Sequence, residues 1–228
     1  AQSAAGIAAN IRRALGTGVA GISLEDASGI ASNPVRDLGS SIARLQVARA
    51  ALDEYGPDAP LLIGRAENFS VGNPDLKDTI VRLRAYAEAG ADVLYAPGVS
   101  TREQIAALVD AVHPKPLNVL VGADTTLSFE EIAALGVRRI SVGPALARSA
   151  WGGFVRAARS IAEDGRFDFG EAASGNELNS FFKLSRQTPS TAKANIVGRV
   201  EFRLGEGPLI EIRQGWVDIT FSPGDAVL

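Results

Sequence analysis

The sequence predicts an α/β protein built on a parallel sheet, and three observations point there. Short apolar runs alternate about five times with helical stretches, at a spacing of roughly 25 to 35 residues, as strand–helix–strand units require. The runs are apolar throughout instead of alternating with polar residues, as in strands covered on both faces. Helix ends also lead directly into strands, as in Ala89-Gly90-Ala91-Asp92-Val93 and Leu135-Gly136-Val137-Arg138-Arg139-Ile140. Such joints, with right-handed crossovers, favour a (β/α) barrel of the TIM type. A doubly wound sheet is the alternative. No Gly-x-Gly-x-x-Gly turn follows the first strand and no Walker-type loop occurs, so neither dinucleotide nor P-loop chemistry is expected.

The elements follow in order. Ala1 to Leu15 carries Ile7, Ala8, Ile11 and Leu15 at helical spacing and is closed by Gly16. Gly18 to Leu24 reads as a buried strand ending in Glu25-Asp26, and a loop through Asn33 precedes a helix from Asp37 to Tyr55. Leu61 to Ile63 is the next strand. A helix from Asp75 to Ala89 then places Ile80, Leu83 and Tyr86 on one face, with Gly90 as its stop. Asp92 to Tyr95 is a strand, followed by a helix capped at Ser100 or Thr101 with Gln104 in its first turn. Pro116 to Val121 is a strand, and Ser128 with Glu131 forms capping-box spacing for a short helix ended by Gly136. Arg139 to Val142 is the last strand of this series, and a long helix from Ala145 to Glu163 follows.

After Phe169 the texture changes. Asn176 to Lys183 reads as one more helix, and residues 184–195 are polar with Pro189, which suggests a linker. Residues 196–228 alternate apolar and polar, with turns at Gly205 to Pro208 and Arg213 to Gly215, as a small β-meander would. The expected domains are therefore a barrel over 1–183, a linker over 184–195 and a β module over 196–228. A module this small is expected to pack on the barrel or on another subunit.

Composition narrows the function classes. The chain has 228 residues, a formal charge of −3, a single histidine (His113) and no cysteine. Disulfides, thiolate metal sites, cysteine nucleophiles, multi-histidine metal sites and a Ser-His-Asp triad are thereby disfavoured. With both signs of charge interspersed, no nucleic-acid footprint is present. No apolar run is long enough to span a bilayer and no signal-peptide core opens the chain, so a soluble, cytoplasmic protein without membrane partners is expected. Methionine is absent, even at position 1, which is uncommon at this length and raises the expectation of a fragment.

The candidate chemistry lies where apolar runs stop, because ligands of parallel α/β folds sit at the carboxyl ends of strands. Pro60 to Phe69 ends its run in Arg65, Glu67 and Asn68, while Glu25 and Asp26 end the strand before it. Asn118 lies inside a later strand, where a buried amide needs partners. A solvated ion pair is the bland reading of any one of these groups; their recurrence at successive strand ends weakens it. Without sulfur ligands and with one histidine, a bound metal would be a hard cation such as Mg2+, held by carboxylates and water. An arginine in the same mouth would grip a carboxylate or phosphonate bidentately. An anionic oxyacid chelated to Mg2+, with an enolate-like charge stabilised, fits these groups.

Four blocks carry a resemblance. Gly21-Ile22-Ser23-Leu24-Glu25-Asp26, Gly64-Arg65-Ala66-Glu67-Asn68-Phe69, Tyr86 through Gly98, and Gly136-Val137-Arg138-Arg139-Ile140-Ser141-Val142-Gly143 together resemble the isocitrate lyase/phosphoenolpyruvate mutase superfamily over residues 1–183. The resemblance implies a (β/α)8 barrel, here incomplete at the N-terminus with about five of eight strands supplied, and a homo-oligomer (dimer or tetramer) with swapped C-terminal helices. It implies a Mg2+-dependent lyase or mutase that cleaves or forms a C–C or P–C bond next to an α-keto acid through an enolate. Its substrate would be a small anionic α-keto or phosphono acid. By this resemblance Glu25 matches the acid that helps hold Mg2+ through water, with Asp26 beside it, and Arg65 matches the arginine that binds the substrate carboxylate. Glu67 is placed with Arg65 as catalytic, and Asn68 and Asn118 as substrate-binding. Two departures stand out. Residues 27–34 hold no cysteine, lysine or histidine where the superfamily's lyases carry a Lys-Arg-Cys-Gly-His-like loop, and Pro97 stands where those lyases tend to have glutamate. Cleavage of isocitrate or 2-methylisocitrate is therefore not expected. A catalytically inactive barrel remnant serving as an assembly module is the alternative function.

Overall fold

The structure is a computed structural model that describes residues 4–122, 125–186, 201–203, 209–213 and 216–220. The chain forms two compact units, residues 1–120 with 124–139, and residues 121–123 with 140–228.

In the first unit, helix α1 (Ala4–Leu15) is followed by strand and helix in strict alternation: β1 (Gly21–Glu25), α2 (Leu38–Asp53), β2 (Leu61–Arg65), α3 (Leu76–Glu88), β3 (Val93–Tyr95), α4 (Arg102–Val112), β4 (Leu117–Leu120) and α5 (Phe129–Ala134). β1 pairs with β2, β2 with β3 and β3 with β4, all parallel. This is the α/β architecture with a parallel sheet that the alternation implied. Helix starts are fixed by side chains that satisfy otherwise unpaired N–H groups. Asp37 accepts from the Ser40 N–H at the start of α2 and Asp75 from the Asp78 N–H at the start of α3. Thr101 with Gln104, and Ser128 with Glu131, form complete capping boxes. Gly90 and Gly136 follow α3 and α5 at φ 99° and 89°, a backbone region that side chains avoid, and so turn the chain back into the sheet.

The core lies between sheet and helices. Leu62, Leu94 and Leu117 on the strands and Leu83, Tyr86, Leu108 and Ile132 on the helices are buried. Gly64 sets one spacing within it: a Cβ there would lie 2.9 Å from Tyr86 Cβ and 3.1 Å from Ala91 Cβ. β1 departs from expectation. Its residues alternate between exposed and half-buried, although the run looks as apolar as β2. The reason is position: β1 is the end strand of the sheet, whereas β2 is paired on both sides.

β5 (Arg139–Ser141) carries the chain into the second unit, where α6 (Ala145–Asp164) is a twenty-residue helix with no buried residue. Leu146, Trp151, Phe154, Val155 and Ile161 are all exposed on it. Helix α7 runs Gly175–Arg186, so residues 184–186 of the expected linker are helical; residues 187–195 lie outside the described residues. Of the expected β module, β6 (Glu201–Arg203), β7 (Leu209–Arg213) and β8 (Trp216–Thr220) are described, with β6 antiparallel to β7 and β7 antiparallel to β8. Among the described residues no helix is long and apolar enough to cross a membrane.

Candidate functional site

Register builds the site. Glu25 lies opposite Arg65, Arg65 opposite Tyr95 and Tyr95 opposite Asn118. Four strands thus deliver a carboxylate, a guanidinium, a phenol and an amide at one level of the sheet, the first three as the last residues of β1, β2 and β3 and Asn118 as the second residue of β4. In register positions of a parallel sheet point to the same face. Arg65 Nη2 stands 3.6 Å from Glu25 Oε2, and the guanidinium carbon lies 5.1 Å from the centre of the Tyr95 ring, within cation–π range.

Arg65 is the centre of this row. Its side chain is 30% exposed, and its Nε donates to Glu67 Oε1. Ser70 Oγ donates to the other Glu67 oxygen, so the buried carboxylate is held at both ends. Among the described residues Nε is the one Arg65 nitrogen used in a hydrogen bond, because the Glu25 contact is too long to be one. The two terminal nitrogens make no hydrogen bond to a described residue, and such a fork suits a planar carboxylate. Burial works against the Arg65 charge, but the hydrogen bond and negative charge of Glu67 outweigh it and raise the pKa further. The cation is permanent at any accessible pH.

The acidic pair at the end of β1 is split by the alternation of the strand. Glu25 is 51% exposed and faces Arg65. Asp26 turns inward, is 2% exposed, and accepts from the Glu67 N–H at 2.8 Å, Tyr86 Oη at 2.5 Å and Arg82 Nη1 at 3.2 Å. Asp26 is thus committed to protein donors, away from the open carboxylate with which the sequence grouped it. Asn68, expected beside a ligand, is fully buried and donates to Asp78 Oδ2 at 2.7 Å. Asn118 is buried within the row itself. Sequence reasoning missed Tyr95, Ser70, Arg82 and Tyr86. Asp78, Arg82 and Tyr86 recur every fourth residue on the face of α3 that also carries Leu83, and an arginine in such a stripe signals a buried partner.

As a metal centre the described residues fall short. No group of three acidic or histidine side chains that could hold an ion occurs among them. Mg2+ demands six oxygens, usually with more than one protein carboxylate or a phosphate-bearing ligand. Glu25 is the one open carboxylate of the row, and it stands next to a cation. By themselves these side chains do not fit the ion.

A family model described as Phosphoenolpyruvate phosphomutase matches residues 1–162. The chain belongs to that family. A relative, the oxaloacetate decarboxylase of Bradyrhizobium sp. (strain ORS 278), is 31% identical over 143 residues, which is 60% of this chain and 48% of the relative. The chain thus spans about half the length of the curated relatives it matches. Among solved structures, a protein from Burkholderia cenocepacia J2315 provisionally assigned as a lyase/mutase superposes with a TM-score of 0.74 at 44% identity, over 80% of this chain and 66% of that one. 2,3-Dimethylmalate lyase, a PEP mutase/isocitrate lyase superfamily member, shares the fold with a TM-score of 0.65 at 21% identity, over 81% of this chain and 67% of its own. These matches bear out the superfamily that the four sequence blocks resembled.

Proposed function

We propose that this phosphoenolpyruvate phosphomutase family protein acts on a small anionic α-keto or phosphono acid, with oxaloacetate the leading candidate. The reaction breaks or forms the C–C or P–C bond borne by the carbon adjacent to the keto group, so that the bonding pair is held as an enolate. The observation that carries this reading is Arg65, 30% exposed at the end of β2, held by Glu67 and lying over Tyr95, with terminal nitrogens that make no hydrogen bond to a described residue. Arg65 grips the carboxylate next to the keto group. Glu67 and Ser70 keep the guanidinium plane fixed, so little freedom is lost when the anion binds. Asn118, at the far end of the row, supplies a polar group to the keto side. Oxaloacetate decarboxylation, the activity of the relatives, would release CO2 and leave the bonding pair as an enolate next to the Arg65 charge. A (β/α)8 barrel and Mg2+ dependence belong to this reading through the family, although the described side chains by themselves do not fit the ion.

The test is binding of oxalate, an enolate mimic, measured by calorimetry and thermal shift with and without Mg2+. The expected result is saturable binding that Arg65→Ala abolishes, followed by turnover of oxaloacetate or phosphonopyruvate in preference to 2-methylisocitrate. Unchanged oxalate affinity in the Arg65→Ala protein would place the site elsewhere.

A second reading is favoured by α6, whose apolar residues are exposed along its length. In it the chain is an inactive assembly module that self-associates through this face. Oxalate with Mg2+ then leaves the melting temperature unchanged, while sedimentation shows a concentration-dependent oligomer.

A further inference from the structure

Arg82 stands outside the Glu25–Arg65–Tyr95–Asn118 row, yet it is tied to both chain segments that flank Arg65. Its Nη1 donates to Asp26 Oδ2 at 3.2 Å and to the Arg36 carbonyl at 2.8 Å, and its Nε donates to Asp78 Oδ2 at 2.6 Å. Each of the two carboxylates then reaches the turn after β2. Asp26 Oδ1 accepts the Glu67 N–H at 2.8 Å, and Asp78 Oδ2 accepts Asn68 Nδ2 at 2.7 Å. Consecutive residues of the turn that carries the Arg65 orienter are thus held through one guanidinium. The third contact lies where the loop after β1 returns: Arg36 N–H bonds the Asp26 carbonyl at 2.9 Å, and Ala27 bridges Val35. Arg82 and Asp26 are both nearly fully buried, so their bond is desolvated and charge-assisted, whereas Asp78, 38% exposed, meets the guanidinium at the edge of solvent.

From this we infer that Arg82 is a positioning residue of the anion site: through Asp26 and Asp78 it fixes the main chain at Glu67 and the side chain of Asn68, and so the direction in which Arg65 points. The inference rests on the proposed role of Arg65 as the anion grip. It requires the planar fork, not merely the charge. A lysine ammonium is a single point and cannot serve Asp26, Asp78 and the Arg36 carbonyl in their observed directions.

The test compares Arg82→Lys, which keeps the buried charge, with Val112→Ala, a core trim at the C-terminal end of α4. Two quantities are read: hydrogen exchange of the Glu67 amide, which needs no ligand, and oxalate affinity by calorimetry. In Arg82→Lys the expected results are Glu67 exchange about tenfold faster or more, a local opening, and oxalate binding weaker by about tenfold, as loss of orientation costs. In Val112→Ala oxalate affinity stays within about twofold of wild type, and Glu67 exchange rises no more than that of the Leu62 and Leu94 amides, since a loss of global stability moves all globally exchanging amides together. Glu67 exchange in Arg82→Lys that matches Val112→Ala overturns the inference, as does unchanged oxalate affinity in a wild-type background that binds it. If the wild type itself fails to bind oxalate, the function proposed for Arg65 falls, and the Glu67 exchange alone decides the role of Arg82.

Discussion

Helices α3 and α6 have similar sequence texture and opposite circumstances. Both are amphipathic, and both mix arginines with aromatic and aliphatic residues. In α3, Thr79, Arg82, Leu83 and Tyr86 are buried; Thr79 donates to the Asp75 carbonyl, and Arg82 and Tyr86 are matched to Asp26, Asp78 and the Arg36 carbonyl. In α6 nothing is buried, and Trp151, 65% exposed, packs edge-on against Phe154 with ring centres 5.5 Å apart. Amphipathicity thus states that a face seeks a partner and says nothing of whether this chain provides it. What distinguishes the helices is polar complementarity, which α3 has and which the described surroundings of α6 do not supply.

The sharpest way to break the contrast is to remove the acceptor beneath α3. Asp26→Ala leaves Arg82 buried beside one carboxylate fewer and the Tyr86 hydroxyl without its acceptor, so a loss of about 3–5 kcal/mol in urea unfolding is expected. A loss below about 1 kcal/mol would mean the cluster is solvated and the contrast between the helices false.

A smaller effect is expected at Tyr86. Tyr86→Phe removes a bond to a charged acceptor, worth about 1.5–3 kcal/mol. It should also alter the response to alkali. Burial, then the neighbouring Asp26 charge and its hydrogen bond, push the Tyr86 hydroxyl well above its ordinary pKa. A folded-state pKa raised above the unfolded one gives stability that is intact below the ordinary value, about 10, and is lost as pH climbs past it. Wild-type stability should therefore fall more steeply above about pH 10 than that of Tyr86→Phe. Parallel curves would show that the hydroxyl is not buried against Asp26.

The smallest effect sharpens the other side. Phe154→Ala on the open face of α6 should change monomer stability by no more than about 0.5 kcal/mol. A cost of several kcal/mol in dilute protein would show that the face is covered in the free chain.

Much of this was legible in the sequence, for identifiable reasons. Capping at Thr101 and Ser128 is local chemistry between residues three apart, and the structure shows both boxes complete. Arg65 and Glu67 were readable as a cluster because they share a turn, whereas the register that sets Glu25 opposite Arg65 comes from the pairing of the two strands and not from their parallel direction. The exposure of β1 was not legible, since edge position is a property of the sheet and not of Gly-Ile-Ser-Leu. The opposite fates of Glu25 and Asp26 were available in principle: adjacent strand residues face opposite ways, so the two could not share one mouth. Arg82 was hidden because a charged side chain on a helix ordinarily faces water, and burial needs partners that lie far away in sequence.

The close approach at Gly64 gives the sheet interior a say in the electrostatics of its rim. A methyl group there would act as a spacer wedged against the β-carbon of Tyr86, prising α3 away from β2. The lever arm ends at a hydroxyl and a guanidinium that lock one carboxylate, so an apolar change deep in the packing would be felt as a redirected positive charge at the mouth. Alanine at position 64 would be invisible to any inspection of charged residues and would detune the anion grip all the same.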